Sequence, residues 1–361
     1  MNVLMISGDR KILDAESTSF NRMVGYSQYV DSMHILVPGN KKDTIGYGGG
    51  NLNIYSVFSN YKFLTFLLFY IKAKEILKSF KKGDVVMTAQ DPFYYGLIAA
   101  LISIGGQYPF EIQVHTDILG ATKNAWLRKK IAYFVLSRAN TIRTVSDVAK
   151  KSLVTFMPQI QQKIEVLPIA VVTPGFMARA EYSITPTLLV VSRLEPEKNV
   201  LESLKIFKDI LIRIPHAKLL IAGEGSDRSS IIHYVKDNSL ESNVELLGYV
   251  KDVYGLYAKS QVLLHTSLFE GFGMVFIEAG MCALPIVSTR VGVAPDITGL
   301  SFDIDNRQMI TDSIVDILSD ENLWKKESLH CQLNAQKFII SQDEYNKKIT
   351  NQWEKTLSTI Q

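Results

Sequence analysis

The chain has 361 residues, 47% of them hydrophobic and 21% charged, in the range of a globular enzyme and long enough for two domains. A net charge of +3 is too small to argue for nucleic acid as a partner. The two cysteines, Cys282 and Cys331, exclude a disulfide framework and fit a reducing cytoplasm.

The N-terminal run Met1-Asn2-Val3-Leu4-Met5-Ile6-Ser7-Gly8 reads as a first strand and not as a signal peptide, having neither a basic start nor a small-residue cleavage site. Further strands are predicted at 33–37, 52–57, 84–88, 111–115, 140–144 and 163–167, then at 187–192, 217–222, 244–248, 261–265 and 285–289. Helical patterns lie between them, among them 200–213, 228–237 and 306–318. Strands alternating with helices in this way predict two successive α/β units, each doubly wound around a parallel sheet. Pro168 to Pro186, with three prolines and little periodicity, reads as the linker. A polar helix is predicted over 342–358. No apolar run reaches the roughly 18 residues that span a bilayer. The stretch 61–82 is a basic, apolar helix, with Phe63, Leu64, Phe66, Leu67, Leu68, Phe69 and Ile71 flanked by Lys62, Lys72, Lys74, Lys78, Lys81 and Lys82. It reads either as a core helix with lysines at a solvated end or as a peripheral membrane contact.

Ligands of open parallel sheets sit beyond the carboxyl ends of the strands, and the candidate residues cluster there. Glu270-Gly-Phe-Gly-Met-Val-Phe-Ile-Glu278 sets two carboxylates around a glycine turn that opens a helix. Amides at such a helix start bind phosphate, and carboxylates accept hydrogen bonds from sugar hydroxyls, which together suggest a sugar nucleotide. Arg193 and Lys198 follow the 187–192 strand, where two cations can neutralise a leaving diphosphate or remain solvated loop cations. Ile221-Ala222-Gly223-Glu224-Gly225 reads best as a tight strand-to-helix turn. Leu247-Gly248-Tyr249-Val250 offers backbone to a nucleobase edge. His115, in Gln113-Val114-His115-Thr116-Asp117, is either a sugar-hydroxyl contact or a satisfied sheet histidine. Gly8 can admit a phosphate or acceptor close to the backbone, or is a turn glycine. Asp303-Ile304-Asp305 carries an Asp-x-Asp spacing, but Asp305 reads as the N-cap of the following helix, so no metal site is expected.

Together these residues resemble the family 4, or group 1, glycosyltransferases. The likeness rests on Arg193 with Lys198, Ala222-Gly223-Glu224-Gly225, Leu247-Gly248-Tyr249-Val250 and above all the stretch from His265 to Ser288, and it covers 187 to 318. It implies the GT-B architecture: two Rossmann-like domains facing across a cleft, with 1–170 plus the returning helix 342–361 on the acceptor side and 171–341 on the donor side. It implies that Glu278 holds the ribose hydroxyls, Glu270 lies near the donor sugar's hydroxyls, and the Gly271, Phe272, Gly273, Met274 and Val275 segment binds diphosphate and sugar. Arg193 and Lys198 would stabilise the leaving phosphates, and His115 would contact the donor sugar. Two positions depart from the family pattern: Pro168-Ile169-Ala170-Val171-Val172 stands where Pro-Asn-Gly-Val-Asp is frequent, and Ser7-Gly8-Asp9 lacks a second glycine.

The expected activity is retaining, metal-independent transfer of a hexosyl group from a nucleoside-diphosphate sugar, such as a UDP- or GDP-sugar, to a glycan or lipid-linked acceptor, with no other cofactor. A glycosidase pair is disfavoured: hydrolases set their carboxyls roughly 5 to 9.5 Å apart, whereas eight residues of helix would rise about 12 Å, although Glu270 reads as lying outside the helix, and the cations Arg193 and Lys198 make little sense for a hydrolase without a phosphate leaving group. A sugar-nucleotide-binding partner without turnover, a phosphorylase and an epimerase remain as alternatives.

Overall fold

The structure is a computed structural model and describes residues 1–39, 50–104, 108–115, 125–171, 179–183 and 185–360. In chain order its elements are β1 (Asn2–Ile6), α1 (Thr18–Ser27), β2 (Ser32–Pro38), β3 (Leu52–Val57), α2 (Lys62–Leu77), β4 (Val85–Ala89), α3 (Tyr94–Ile102), β5 (Phe110–Val114), α4 (Ala125–Arg138), β6 (Thr141–Thr144), α5 (Asp147–Phe156) and β7 (Ile164–Val166). There follow β8 (Thr187–Val191), α6 (Val200–Arg213), β9 (Lys218–Ala222), α7 (Arg228–Asp237), β10 (Val244–Gly248), α8 (Tyr254–Lys259), β11 (Val262–His265), α9 (Met274–Met281), β12 (Ile286–Thr289), α10 (Ala294–Ile297), β13 (Ser301–Phe302), α11 (Arg307–Ser319), α12 (Glu321–Gln336) and α13 (Gln342–Ser358). The chain divides into one unit of Met1–Pro168 with Ser341–Gln361 and a second of Ile169–Ile340. Much of the predicted linker, 172–178 and 184, lies outside the described residues.

The first unit is built on a seven-stranded parallel sheet of order β3-β2-β1-β4-β5-β6-β7. Strands β1 and β4 are largely apolar runs, as expected where helices cover both faces, whereas β5 and β6 alternate apolar with polar residues. Leu4, Leu36, Met87, Phe110, Ile112 and Ile142 share a core with Phe69 of α2 and Val135 of α4. The opposite face of β5 and β6 carries Glu111, Gln113, Thr141 and Arg143, all buried. α13 packs on β4, β5 and α1 there, with Trp353 fully buried. Ser341 caps α13 by accepting from the Glu344 amide, with Asp343 and Glu344 in its first turn and Lys355 in its last, as the helix dipole favours.

The second unit holds a six-stranded parallel sheet of order β10-β9-β8-β11-β12-β13. Its core runs through Leu188, Leu204, Phe207, Ile221, Leu263, Phe276 and Ile286. From β8 the chain winds outward to β9 and β10, then returns to the other side of β8 as β11. The switch point lies between β8 and β11, and their carboxyl ends, Val191 and His265, open the crevice where such sheets bind ligands.

Two readings of the sequence are corrected here. β13 was not among the expected strands; it has only two residues and pairs with β12 alone. Asp305 is not the N-cap of the helix after it: α11 starts one residue later, behind Asn306, and no side chain caps it. Asp303 instead lies 3.6 Å from Arg290.

Candidate active site

The loop after β8 and the loop after β11 meet at the switch point. Leu268 donates its amide to the Glu197 carbonyl at 2.8 Å, closing one loop on the other. Lys198 Nζ then lies 2.5 Å from Glu270 Oε1. Two more donors converge on that oxygen: His265 Nε2 at 2.9 Å and Ser267 Oγ at 3.1 Å. His265 is buried at the end of β11, with the Phe276 ring edge-on at 4.8 Å. Burial pulls the Glu270 carboxyl upward, but the hydrogen bonds and charges of His265 and Lys198 outweigh it and hold the group at about 2. Glu270 is therefore a fixed carboxylate. Among the described residues these three donors all meet Oε1.

Glu270 leads into Gly271, Phe272 and Gly273, and α9 starts at Met274 with Gly273 as its N-cap at φ +87°. A Cβ at Gly273 would fall 2.5 Å from the Phe276 ring, so only glycine makes this turn without displacement. Phe272 is anchored: its carbonyl accepts from the Val293 amide at 2.9 Å and its ring meets Phe338. Met274 is exposed and Val275 partly so. The Phe276 amide already gives its hydrogen bond to the Gly273 carbonyl at 3.0 Å, and the first-turn amides carry the positive end of the helix dipole. One turn on, Glu278 accepts a 3.0 Å hydrogen bond from the Tyr257 hydroxyl of α8. Burial raises the Glu278 carboxyl above its ordinary value, and the Tyr257 bond offsets part of that rise.

Arg193 lies apart from this clamp. Its side chain is 68% exposed and pairs with Glu197 at 2.8 Å within the same turn. The Gly223–Gly225 segment is the tight turn expected of it: a Cβ at Gly223 would lie 1.8 Å from the Ser192 carbonyl oxygen, and one at Gly225 would lie 2.3 Å from that of Leu194. Gly248 has φ +67° and borders Glu224, while Tyr249 is 79% exposed.

Two candidates belong to the first unit. Gly8 follows β1 at that sheet's own switch point, but a Cβ there would lie 2.6 Å from the Tyr95 ring. Its lack of a side chain thus accommodates Tyr95, a tighter requirement than a plain turn. His115 directly follows β5, with Nε2 3.4 Å from Gln113 Oε1. Burial first, then the charges of Arg143 and Arg22, push its pKa down to about 3, so the ring is neutral. Thr116 and Asp117 lie outside the described residues.

His265, Ser267 and Tyr257 were not singled out from the sequence as site residues. The spacing His265-x-Ser267-x-x-Glu270 at the end of a predicted strand was the available signal for the first two.

Residues 178–338, a segment inside the second unit and under half of the chain, match the glycosyl transferases group 1. In that segment the second unit is similar to this family. It is 31% identical over 180 residues to N-acetyl-alpha-D-glucosaminyl L-malate synthase of Bacillus anthracis, covering 46% of this chain and 47% of that protein. It is 25% identical over 230 residues to the phosphatidylinositol N-acetylglucosaminyltransferase gpi3 subunit of Schizosaccharomyces pombe, covering 61% of this chain and 50% of that one. The chain thus matches about half the length of each relative. The chain also superposes on Anabaena HepE in complex with UDP-glucose with a TM-score of 0.70 at 16% identity, over 99% of this chain and all of that one, which shows the shared GT-B fold.

Proposed function

We propose that the protein transfers a hexosyl group from a nucleoside-diphosphate sugar to an acceptor hydroxyl, in the synthesis of a polysaccharide or glycolipid. The observation that carries this reading is the Lys198–Glu270 clamp at the switch point of the second sheet, beside the start of α9. HepE is seen in complex with UDP-glucose, and the names of both relatives carry an N-acetylglucosaminyl group, which supports a UDP-sugar as donor.

In this reading the amides from Phe272 to Val275 receive the diphosphate. An ammonium has three donors; Lys198 gives one to Glu270 and keeps the others for phosphate oxygens. Arg193 swings from its exposed pair with Glu197 to add a second cation. Glu270 Oε2 accepts from sugar hydroxyls, and Glu278 holds the ribose. His115 meets the donor sugar, while Gly8 lies on the acceptor side and Gly248 with Tyr249 meets the base. The acceptor oxygen bonds to the anomeric carbon on the face that the phosphate leaves. The carbon–oxygen bond to the leaving phosphate breaks, and that phosphate oxygen takes the acceptor's proton. Configuration is retained and no metal ion is required. The protein contributes positioning and charge stabilisation.

A membrane-held acceptor fits α2. Phe69, Ala73, Ile76 and Leu77 face the core, yet Tyr61, Phe63, Leu64, Leu67 and Ile71 are exposed, Phe63 to 79%. With Lys62, Lys78, Lys81 and Lys82 on and around this helix, the exposed apolar surface suits an anionic bilayer surface. Among the described residues no helix is long and apolar enough to cross a membrane.

The test is to incubate excess full-length protein separately with UDP-glucose, UDP-N-acetylglucosamine and GDP-mannose, following melting temperature and nucleoside diphosphate release. One donor should raise the melting temperature and release its nucleotide. Stabilisation without release would mark a binder; no response to any donor would refute the reading.

A further inference from the structure

Behind His115 lies a buried polar chain that fixes the ring's protonation pattern. Gln113 Oε1 accepts from Arg143 Nη2 at 2.5 Å. The Gln113 amide nitrogen donates to Thr88 Oγ1 at 2.8 Å and to Glu111 Oε1 at 3.3 Å. Thr88 donates to the same Glu111 oxygen at 2.9 Å, and Trp353 Nε1 of α13 reaches it at 3.3 Å. Turning the Gln113 amide over would set its NH₂ against the Arg143 guanidinium, which only donates, so the amide has one satisfied orientation. The atom it presents to His115 Nε2 is therefore an oxygen, which only accepts. His115 Nε2 must carry the proton. In a neutral ring Nδ1 then keeps its lone pair.

We propose that Gln113, itself held by Arg143, is a positioning residue that fixes His115 as its Nε2–H tautomer and so presents Nδ1 as a hydrogen-bond acceptor to a substrate hydroxyl. The tautomer follows from this unit alone. The substrate contact rests on the proposed transferase reading. The chain of bonds also gives α13 a role beyond closing the core: its Trp353 helps to hold the carboxylate that orients Gln113.

Two measurements test this. Full-length protein labelled with ¹⁵N-histidine should show His115 with a protonated Nε2, a bare Nδ1 and no titration from pH 8 down to 5. An Nδ1–H ring, or one that titrates in that range, would overturn the proposal while leaving the transferase reading intact. Gln113→Leu should bring in the Nδ1–H form; an unchanged tautomer would remove Gln113 from its role, and if this variant fails to fold the wild-type spectrum still decides. With the donor that the protein uses, His115→Asn keeps an acceptor near the Nδ1 position, whereas His115→Gln keeps only a group near Nε2. The Asn variant should retain about tenfold more kcat/KM, the worth of one hydrogen bond. Equal losses would refute the acceptor role. Absence of turnover in the wild type would instead count against the transferase reading and leave the tautomer standing.

Discussion

Lys198 and Glu270 stand 72 residues apart in the chain, yet Nζ and Oε1 are separated by 2.5 Å. The two residues come from loops that follow the neighbouring strands β8 and β11, so the contact closes the switch point of the sheet. Its pH dependence has a definite sign. The Glu270 carboxyl falls from 4.5 to about 2 on folding, so its stabilisation is present above pH 4.5 and is lost as pH falls towards 2. The shift is worth roughly 3 kcal/mol for this mostly buried group. Glu270→Gln should therefore be less stable than the wild type near pH 7, and the gap should narrow steadily below pH 5. Denaturant unfolding across that range measures it. A gap that stays constant would mean the carboxylate is not held as described.

Arg193 and Lys198 should part company on mutation. Arg193 is 68% exposed in a pair within one turn, and such pairs contribute at most about 1 kcal/mol. Arg193→Ala should leave the melting temperature nearly unchanged and slow transfer. Lys198 is largely shielded from solvent against Glu270, so Lys198→Ala should both destabilise the fold and reduce kcat by roughly 100- to 1000-fold, the range for losing one fixed charge-stabilising donor. Steady-state kinetics beside thermal unfolding separates the two effects. Full turnover in both variants would remove the cations from the proposed mechanism.

The sequence carried the second sheet well because strands buried on both faces become unbroken apolar runs, as from Leu188 to Val191 and from Val262 to Leu264. β13 has too few residues to show a period. The glycine ahead of α9 was legible because the turn into this helix needs a left-handed residue, which Gly273 supplies at φ +87°. The clamp was not, because nothing local in Lys198 announces Glu270 as its partner; strand adjacency across the switch point makes the pair. Asp305 shows the converse: its type suits a cap, but the helix begins behind Asn306. The polar layer of Glu111, Gln113 and Arg143 was hidden for a related reason. On a strand these residues read as solvated positions, and only α13, arriving from the far end of the chain, buries them.

Tyr257→Phe probes Glu278. The hydroxyl is buried and gives its hydrogen bond to Glu278 Oε2 at 3.0 Å. Losing that donor should raise the Glu278 carboxyl further, because the bond now offsets part of the effect of burial. If Glu278 grips the ribose, the donor KM should rise about three- to tenfold, with kcat changed less. Initial rates at varied donor concentration read this directly. A fall confined to kcat would place Glu278 at the reacting centre instead.

Gly292 presses the loop after β12 against the loop that carries Glu270. Its φ is +54°, and a Cβ there would lie 2.3 Å from the Phe272 carbonyl oxygen and 3.1 Å from Glu270 Cβ. Gly292→Ala should cost at least the roughly 1–2 kcal/mol of a left-handed alanine, and the displaced backbone should shift Glu270 away from Lys198. Gly255 is the control: it lies inside α8 with nothing within 4 Å of a built Cβ. Gly255→Ala should stabilise the protein by up to about 1 kcal/mol, through helix propensity alone, and leave transfer unchanged. Unfolding and turnover measured on both variants compare a glycine that shapes the clamp with one that does not. If Gly292→Ala kept full activity, the clamp would not depend on the register of these two loops, and its rigidity would have to come from Lys198 and His265 alone.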